Sequence, residues 1–411
     1  MARRIIPHKL NSIFTDTMWS IAGLALMNVA AQFVVYPYWN MVLGTEAYGN
    51  IVYLLAIMNV MAISVGVGIN YTRMRQSVDG KTTNKPYNLL MVSGNVVSIA
   101  VLLLFKVTGI IIIGTSDFIL FCILTVITMW RYYADVEYRL SINFKGFFLY
   151  YFVIGVGYLA GILLFKATGL WPFALLPGEI VGVFLVLIKG SVLYGDEANK
   201  DSVNAEQIKS ALNMALLLIG TNLLSHLIFN GDRIILKLFS GSTSVTIYYI
   251  ASLFGKTMTL ITTPLNGVLS GHLVKYEGNL TRRLMNRVTG VTVIAIVLAT
   301  FFCVGVSFVI LPFLYPTEFE LVKRYLVIAN AAQIIYFIGN VLTASILLRF
   351  TLAKNQMIVN VVHGFLFVAV CIPVAWEFGV AGFCWGLLIV NLMRYVLCVV
   401  LGYMGVNRID N

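Results

Sequence analysis

The feature that most constrains this chain is a series of apolar runs, each long enough to cross a membrane. A hydrocarbon core about 30 Å thick needs about 20 apolar residues in a helix, and such runs recur along all 411 residues. Apolar residues make up 60% of the chain and charged residues 11%, whereas about a quarter of the residues in a soluble protein are charged. The sequence therefore predicts an integral membrane protein.

Twelve of these runs are predicted to be transmembrane helices. Helices are expected because a segment in lipid has no water to bond its backbone groups. The approximate limits are 18–38, 48–69, 88–105, 118–134, 147–165, 173–188, 211–239, 245–269, 288–311, 325–348, 357–375 and 380–403. The predicted fold class is an all-α polytopic membrane protein with about 12 transmembrane helices.

The basic residues predict the orientation of the chain. Lys and Arg beside short loops are retained on the cytoplasmic side of a membrane. When the amino terminus is placed inside, most of the 28 basic residues fall on the inner side, and both termini are cytoplasmic. The net charge of +11 is then explained by topology, and no nucleic-acid partner is predicted.

A long polar interval divides the spans into two sets of six. It runs from 189 to 209, and it predicts an amino-terminal bundle at 1–195, a cytoplasmic linker at 196–210 and a carboxy-terminal bundle at 211–411. The stretches LGTEAYGNIVYLLA at 43–56 and FSGSTSVTIYYIAS at 239–252 share a pattern of span end, polar turn and helix start. Parallel repeats of this kind are related by an axis along the membrane normal, with substrate sites between the halves.

Ionisable residues in or near the spans are the candidate functional residues. A charge at the centre of a bilayer costs about 2.5 to 3.5 kcal/mol on insertion scales, so these residues should pair, line a cavity or lie at an interface. The predicted residues for binding an anionic cargo are Arg131, Arg233, Lys256 and Arg394. The predicted residues for binding a coupling proton or sodium ion are Asp16, Glu179 and Asp232.

Each of these residues also has a purely structural interpretation. Arg131 and Asp135 are four residues apart and could neutralise each other on one helix face. The adjacent Asp232 and Arg233 could pair with neighbouring spans. Glu179 follows the helix interruption LLPG and could cap a helix. These alternatives stay open at the level of the sequence.

Motifs for covalent or metal-dependent catalysis are absent from the sequence. There is no G-x-x-x-x-G-K-[ST] loop, no H-E-x-x-H and no Cys or His cluster with metal spacing, so no catalytic residue, metal site or cofactor is predicted. GVGYLAG at 155–161 lies within a span, and Gly157 and Gly161 predict a close helix contact instead.

Several stretches together resemble a known family over essentially the whole chain. They are LGTEAYGNIVYLLA, NFKGFFLYYFVIGVGYLAG at 143–161, GDRIILKLFSGSTSVTIYYIA at 231–251 and FGVAGFCWGLLIVNLMRY at 378–395. The chain resembles the polysaccharide (Wzx-type) flippases of the multidrug/oligosaccharidyl-lipid/polysaccharide (MOP) exporter superfamily. LGTEAYG is similar to the family pattern Leu-Gly-Pro-Glu-x-Tyr-Gly, with Thr45 in place of Pro.

The resemblance implies a transporter built from two six-helix bundles that open alternately to the two sides of the membrane. Its implied cargo is an undecaprenyl-pyrophosphate-linked oligosaccharide, moved from the inner to the outer leaflet of the bacterial cytoplasmic (inner) membrane for O-antigen, capsule or exopolysaccharide assembly. Implied partners are membrane lipid and the polymerase and chain-length regulator of the same pathway.

Two other functions are weighed against the flippase. A cation-coupled multidrug antiporter of the same superfamily should have an acidic, aromatic cavity, and the cations within the predicted spans argue against it. A polysaccharide polymerase or ligase is expected to carry a large outer loop, and no predicted outer loop exceeds about a dozen residues.

Overall fold

The structure, a computed structural model, describes residues 5–77, 84–189, 205–262, 280–341, 347, 350–351 and 353–409. Within these ranges the secondary structure is helical, without β-strands. The chain divides into two compact units. Unit 1 is Met1–Val42 with Leu54–Gly231, and unit 2 is Leu43–Tyr53 with Asp232–Asn411.

Unit 1 is formed by the first eight helices and most of the ninth. In chain order its elements are α1 (Ile5–Val29), a π-helix (Ala30–Val35), α2 (Tyr36–Leu43), α3 (Thr45–Gln76) from Leu54 onward, α4 (Lys85–Val107), α5 (Thr115–Ala134), α6 (Val136–Leu140), α7 (Phe144–Thr168), a 3-10 helix (Trp171–Ala174), α8 (Leu176–Lys189) and α9 (Ala205–Ser240) up to Gly231. Of the predicted linker 196–210, residues 196–204 lie outside the described residues, and the remainder begin α9.

Unit 2 contains the beginning of α3, the end of α9 and the remaining helices. These are α10 (Ser242–Ala251), α11 (Leu253–Thr257), α12 (Arg282–Leu314), α13 (Phe319–Val322), a 3-10 helix (Lys323–Tyr325), α14 (Leu326–Val341) and α15 (Ala353–Ile409).

The predicted spans correspond to these helices. Within the described ranges, nine helices are long and apolar enough to cross a membrane, and Leu176–Ile188 is a shorter apolar helix at the sixth predicted span. The eighth predicted span, 245–269, begins as α10 and α11, and its residues 263–269 lie outside the described residues. In the tenth, 325–348, residues 342–346 and 348 lie outside them. The prediction of an all-α polytopic membrane protein is confirmed.

In unit 1, helix α7 packs very closely against the 3-10 helix and α8. A Cβ atom placed on Gly157 would lie 2.4 Å from Gly178 Cα, and one on Gly161 would lie 2.3 Å from the Ala174 carbonyl oxygen. The helices approach this closely because neither glycine carries a side chain. The helix contact predicted from Gly157 and Gly161 is therefore confirmed.

In unit 2, α15 is a helical hairpin whose arms are the last two predicted spans. Gly379 lies at the bend with φ 57° and ψ −137°, a conformation that glycine adopts far more readily than other residues. A Cβ atom on Gly386 would lie 3.8 Å from Cys371 Cα. In a straight helix these two positions would be about 22 Å apart, so the chain turns back on itself at Gly379.

The first turns of α3 belong to unit 2 through side-chain contacts. Thr45 Oγ1 donates a hydrogen bond of 2.8 Å to Glu318 Oε1. The hydroxyl groups of Tyr48 and Tyr315 lie 3.2 Å apart. Both tyrosine side chains are fully buried, so these polar contacts hold the start of α3 inside unit 2.

The two predicted repeat segments meet in unit 2 at the starts of α3 and α10. Thr246 Oγ1 donates to the Thr45 carbonyl oxygen at 2.7 Å, and a Cβ atom on Gly49 would lie 1.9 Å from the Ser242 carbonyl oxygen. Each helix thus presents two small residues spaced four apart, Thr45 with Gly49 and Ser242 with Thr246, which allows the backbones to touch. Each helix also follows a glycine with positive φ, at Gly44 and Gly241.

Candidate functional site

The first charge pair, Arg131 with Glu179, lies buried in unit 1. Arg131 Nε donates to Glu179 Oε2 at 2.7 Å, and the two side chains are only 4% and 3% exposed. Tyr158 donates its hydroxyl hydrogen to the other oxygen, Glu179 Oε1. Both carboxylate oxygens are therefore bonded, as a buried carboxylate requires.

The glycine contact in unit 1 explains how this pair is assembled. Gly157 and Gly178 are the chain neighbours of Tyr158 and Glu179, and their close approach brings these two side chains together. Glu179 lies in the first turn of α8, but its two carboxylate oxygens accept hydrogen bonds from Arg131 and Tyr158. This geometry favours an ion pair over the helix cap that the sequence also allowed.

The alternative pairing of Arg131 with Asp135 is wrong. Asp135 instead accepts two hydrogen bonds of 3.0 Å from Arg139, one of 2.5 Å from Asn70 Nδ2 and one of 3.1 Å from the Tyr151 hydroxyl. Arg139 is also four residues from Asp135, on its carboxy-terminal side. Asp135 thus has a full set of partners without Arg131.

The second charge pair, Asp232 with Lys256, lies in unit 2. The ammonium group of Lys256 donates directly to Asp232 Oδ2, and Asp232 Oδ1 accepts a bond of 2.9 Å from the Arg233 backbone N–H. The side chains of Lys256 and Asp232 are 9% and 4% exposed. The partner of Lys256 is thus 24 residues away in the chain, on a neighbouring span, as the structural interpretation of Asp232 allowed.

A break between α10 and α11 fixes the position of Lys256. The two helices are interrupted at Ser252, which leaves backbone groups without helical partners. Asn330 of α14 satisfies two of them: its Nδ2 donates to the Ala251 carbonyl oxygen at 2.9 Å, and its Oδ1 accepts from the Gly255 N–H at 2.6 Å. Lys256 therefore follows a backbone segment that is held by a side chain of another helix.

A third group of polar residues, the Arg394 cluster, connects α14 with the hairpin. It consists of Arg394, Asn340, Tyr336, His363 and Asn391. Arg394 donates to Asn340 Oδ1, and its guanidinium carbon lies 4.7 Å from the centroid of the Tyr336 ring. His363 stacks against the same ring at 5.3 Å, and its Nε2 lies 3.0 Å from Asn391 Oδ1.

Arg394 differs from the paired cations because the described part of the chain supplies no counter-ion for it. Arg394 is 4% exposed. Among the residues that the structure describes, its Nε has no hydrogen-bond partner and no carboxylate forms an ion pair with it. A buried charge without a partner is unfavourable. The site is therefore suited to bind an anion.

The remaining predicted site residues occupy less enclosed positions. Arg233 is half-buried, with its guanidinium carbon 5.1 Å from the centroid of the Tyr249 ring. Asp16 is half-buried in the middle of α1. The structure thus brings Asp232 together with Lys256 and Arg131 with Glu179, whereas Asp16 forms no ion pair with any residue that the structure describes.

Sequence reasoning missed several polar residues of these sites. Tyr158, Asn330, Tyr336 and His363 all lie in apolar spans and make the contacts described above. A polar side chain in a membrane span normally finds a partner inside the protein, so their presence in apolar runs was a usable indication. Their partners are remote in sequence, so the pattern alone did not reveal them.

No protein-family model matches the chain, and no curated protein matches it.

Comparison of structures finds clear similarity. A multidrug resistance MATE family transporter of the MOP superfamily, in its inward-facing conformation, superposes with a TM-score of 0.66 at 13% identity, covering 95% of this chain and 99% of the other. The Vibrio cholerae MATE transporter VcmN, with one residue substituted, gives 0.61 at 15% identity, with 97% of each chain covered. A MOP superfamily transporter from Pyrococcus furiosus gives 0.58 at 12% identity, covering 97% of this chain and 96% of the other.

These matches show the fold. The chain is a multi-pass membrane protein with the fold of the MATE transporters of the MOP superfamily.

Proposed function

We propose that this protein is a secondary transporter of the MOP superfamily whose cargo is an anionic amphiphile. The transporter class is supported by the fold, which similar transporters share over 95% or more of this chain. The anionic cargo is supported by one observation: Arg394 is a buried guanidinium without a carboxylate partner in the described part of the chain.

The specific cargo that we propose is a polyprenyl-pyrophosphate-linked oligosaccharide. Arginine binds phosphate oxygens with several N–H donors in a planar fork, and the Nε of Arg394 has no hydrogen-bond partner among the described residues. Arg131 and Lys256 are each bonded to a carboxylate. Arg394 is therefore the first choice among the predicted cargo-binding cations.

The Pyrococcus furiosus neighbour supports the idea that cavity charge varies within this fold. Its binding pocket is described as having reverse polarity, which suggests a different function for that transporter. We infer that the fold accommodates cargoes of either charge. The charge of the binding residues, rather than the fold, then selects the cargo.

The orientation belongs to the same proposal. With both termini on the cytoplasmic side, the cargo would move from the inner to the outer leaflet of a bacterial cytoplasmic membrane, toward the enzymes that assemble O-antigen, capsule or exopolysaccharide. An inside-negative potential favours outward movement of negative charge by about 2.3 kcal/mol per charge per 100 mV. Transport of a pyrophosphate would then be faster when the potential is present.

The second candidate is a cation-coupled multidrug antiporter. The structural neighbours named above as MATE transporters favour this candidate over the flippase. The first and second charge pairs weaken the argument against it, because two of the four predicted cations are neutralised by carboxylates within the protein.

A transport assay in sealed liposomes separates the two candidates. The cargo is a fluorescent polyprenyl-pyrophosphate oligosaccharide, and the readout is the fraction that becomes accessible to an external quencher. We expect transport by the wild type, at least a tenfold slower rate for Arg394→Gln, and an unchanged rate for Arg324→Gln, whose arginine is exposed. Uptake of cationic dyes against a proton or sodium gradient, without movement of the lipid, would establish the antiporter instead.

A further inference from the structure

The carboxylate of Asp232 has the surroundings of a site for a monovalent cation. Asp232 is 3% exposed within α9. One of its oxygens accepts a hydrogen bond from the Arg233 backbone N–H, and the other accepts one from the ammonium of Lys256. A buried carboxylate is stabilised by a cation in contact with it.

Lys256 reaches this carboxylate because its backbone is held rigidly. The two bonds from Asn330 fix the segment between Ala251 and Gly255, and a Cβ atom on Gly255 would lie only 3.0 Å from Asn330 Oδ1 and Gln333 Cβ. The ammonium can therefore bond to Asp232 without the entropy cost of ordering a flexible loop. A preorganised partner binds better than a flexible one.

Among the described residues, the other charged and titratable groups that interact with this carboxylate or with Lys256 come from three elements. Arg233 is its neighbour in α9, Tyr248 lies in α10, and Cys371 lies in the first arm of the hairpin, each close enough to interact electrostatically with this pair. The Tyr248 hydroxyl is occupied as an acceptor from Gln333 Nε2 at 2.7 Å. None of these groups supplies a second carboxylate.

We propose that Lys256 is a built-in counter-cation that occupies a monovalent-cation site at Asp232. In this arrangement Asp232 takes up neither sodium nor a proton while Lys256 is bonded to it. Removal of the ammonium converts Asp232 into a site for a free cation. Lys256 thereby determines whether this carboxylate couples transport to an ion gradient.

The role of Lys256 in coupling rests on the proposed transport function, whereas the binding of a cation at Asp232 does not depend on it. An ammonium and an alkali cation carry the same charge, and each is attracted to a carboxylate oxygen in a site shielded from water. The tethered ammonium is present at a far higher effective concentration than a free ion. Sodium at ordinary concentrations should therefore fail to displace it.

The test measures thermal unfolding of the purified full chain in detergent, with NaCl replaced stepwise by choline chloride at constant ionic strength. We expect the melting temperature of the wild type to be independent of sodium. For Lys256→Met we expect a saturable rise with sodium, or with falling pH if a proton is the ion that binds. In the double variant Asp232→Asn/Lys256→Met, the melting temperature should no longer rise with sodium or with falling pH.

A matched control removes another paired lysine. Lys323 pairs with Glu320 at an exposed site, where the side chains are 46% and 73% exposed. Lys323→Met should create no sodium or pH dependence, because water already solvates Glu320. The comparison separates a site-specific effect from a general effect of losing one positive charge.

Two results would overturn the proposal. One is saturable stabilisation of the wild type by sodium that Asp232→Asn abolishes, because the carboxylate would then bind an ion in the presence of Lys256. The other is a folded Lys256→Met whose sodium and pH responses equal those of the double variant.

If Lys256→Met does not fold, binding of radioactive sodium to the wild type and to Asp232→Asn decides the question. Equal, unsaturable binding to the two proteins supports the proposal, and binding that is lost in Asp232→Asn contradicts it. Each of these measurements is made without cargo, so a failure of the proposed lipid transport would leave the result for the cation site unaffected.

Discussion

Arg131 Nε and Glu179 Oε2 lie 2.7 Å apart, although 48 residues separate them in the sequence. The pair is almost completely buried. Each charge therefore depends on the other for the solvation that water would otherwise provide.

Removal of one member of this pair should strongly destabilise the protein. We expect Arg131→Met to lower the free energy of unfolding by about 3 to 5 kcal/mol, because Glu179 is left as an uncompensated buried charge. The double variant Arg131→Met/Glu179→Gln should recover most of the loss. Chemical unfolding in detergent micelles, followed by helical circular dichroism, gives the three values.

The exposed pair of Lys323 with Glu320 serves as the control for this cycle. Exposed pairs contribute about 0 to 1 kcal/mol, so Lys323→Met should have little effect. Equal losses in the Arg131 single and double variants would show that packing of the arginine, rather than its charge, stabilises the structure.

Asn330 should be the most sensitive uncharged polar residue in unit 2. Asn330→Ala removes the partners of the Ala251 carbonyl and the Gly255 N–H, and each unsatisfied buried group costs about 1 to 3 kcal/mol. We expect a loss of about 2 to 6 kcal/mol, measured by the same unfolding experiment.

Asn213 provides a matched control because it is an exposed asparagine on an apolar helix. We expect Asn213→Ala to change the free energy of unfolding by less than about 0.5 kcal/mol. A similar small effect for Asn330→Ala would mean that the break at Ser252 is stabilised without the side chain of α14.

The glycine contact in unit 1 should not tolerate a methyl group. Gly157→Ala would place Cβ 2.4 Å from Gly178 Cα, so α7 and α8 must separate and the first charge pair loses its geometry. We expect a loss of about 1 to 3 kcal/mol, which is typical of overpacking. Gly305→Ala is the control, because a Cβ there meets no atom within 4 Å; it should be neutral or slightly stabilising.

A similar argument applies to the contact between the starts of α3 and α10. Gly49→Ala would place Cβ 1.9 Å from the Ser242 carbonyl oxygen, and neither atom belongs to a flexible side chain. We expect lower thermal stability and a lower transport rate in the liposome assay, since α3 must shift away from α10. Gly290→Ala, with open space at its Cβ, is the comparison; equal melting temperatures for the two variants would rule out the contact as a stabilising element.

The sequence alone determined the all-α membrane fold of this protein, because the length and spacing of the apolar runs depend only on local composition. It also identified Gly157 and Gly161 as a helix contact and the charges in the spans as residues that need partners. Only the tertiary structure decided which partners they have: Arg131 bonds to Glu179 rather than to Asp135, and Lys256 bonds to Asp232 rather than remaining alone. These choices depend on how closely helices remote in sequence approach one another. The physical reason is that a buried charge is stabilised by the nearest opposite charge in space, and helix packing sets that distance.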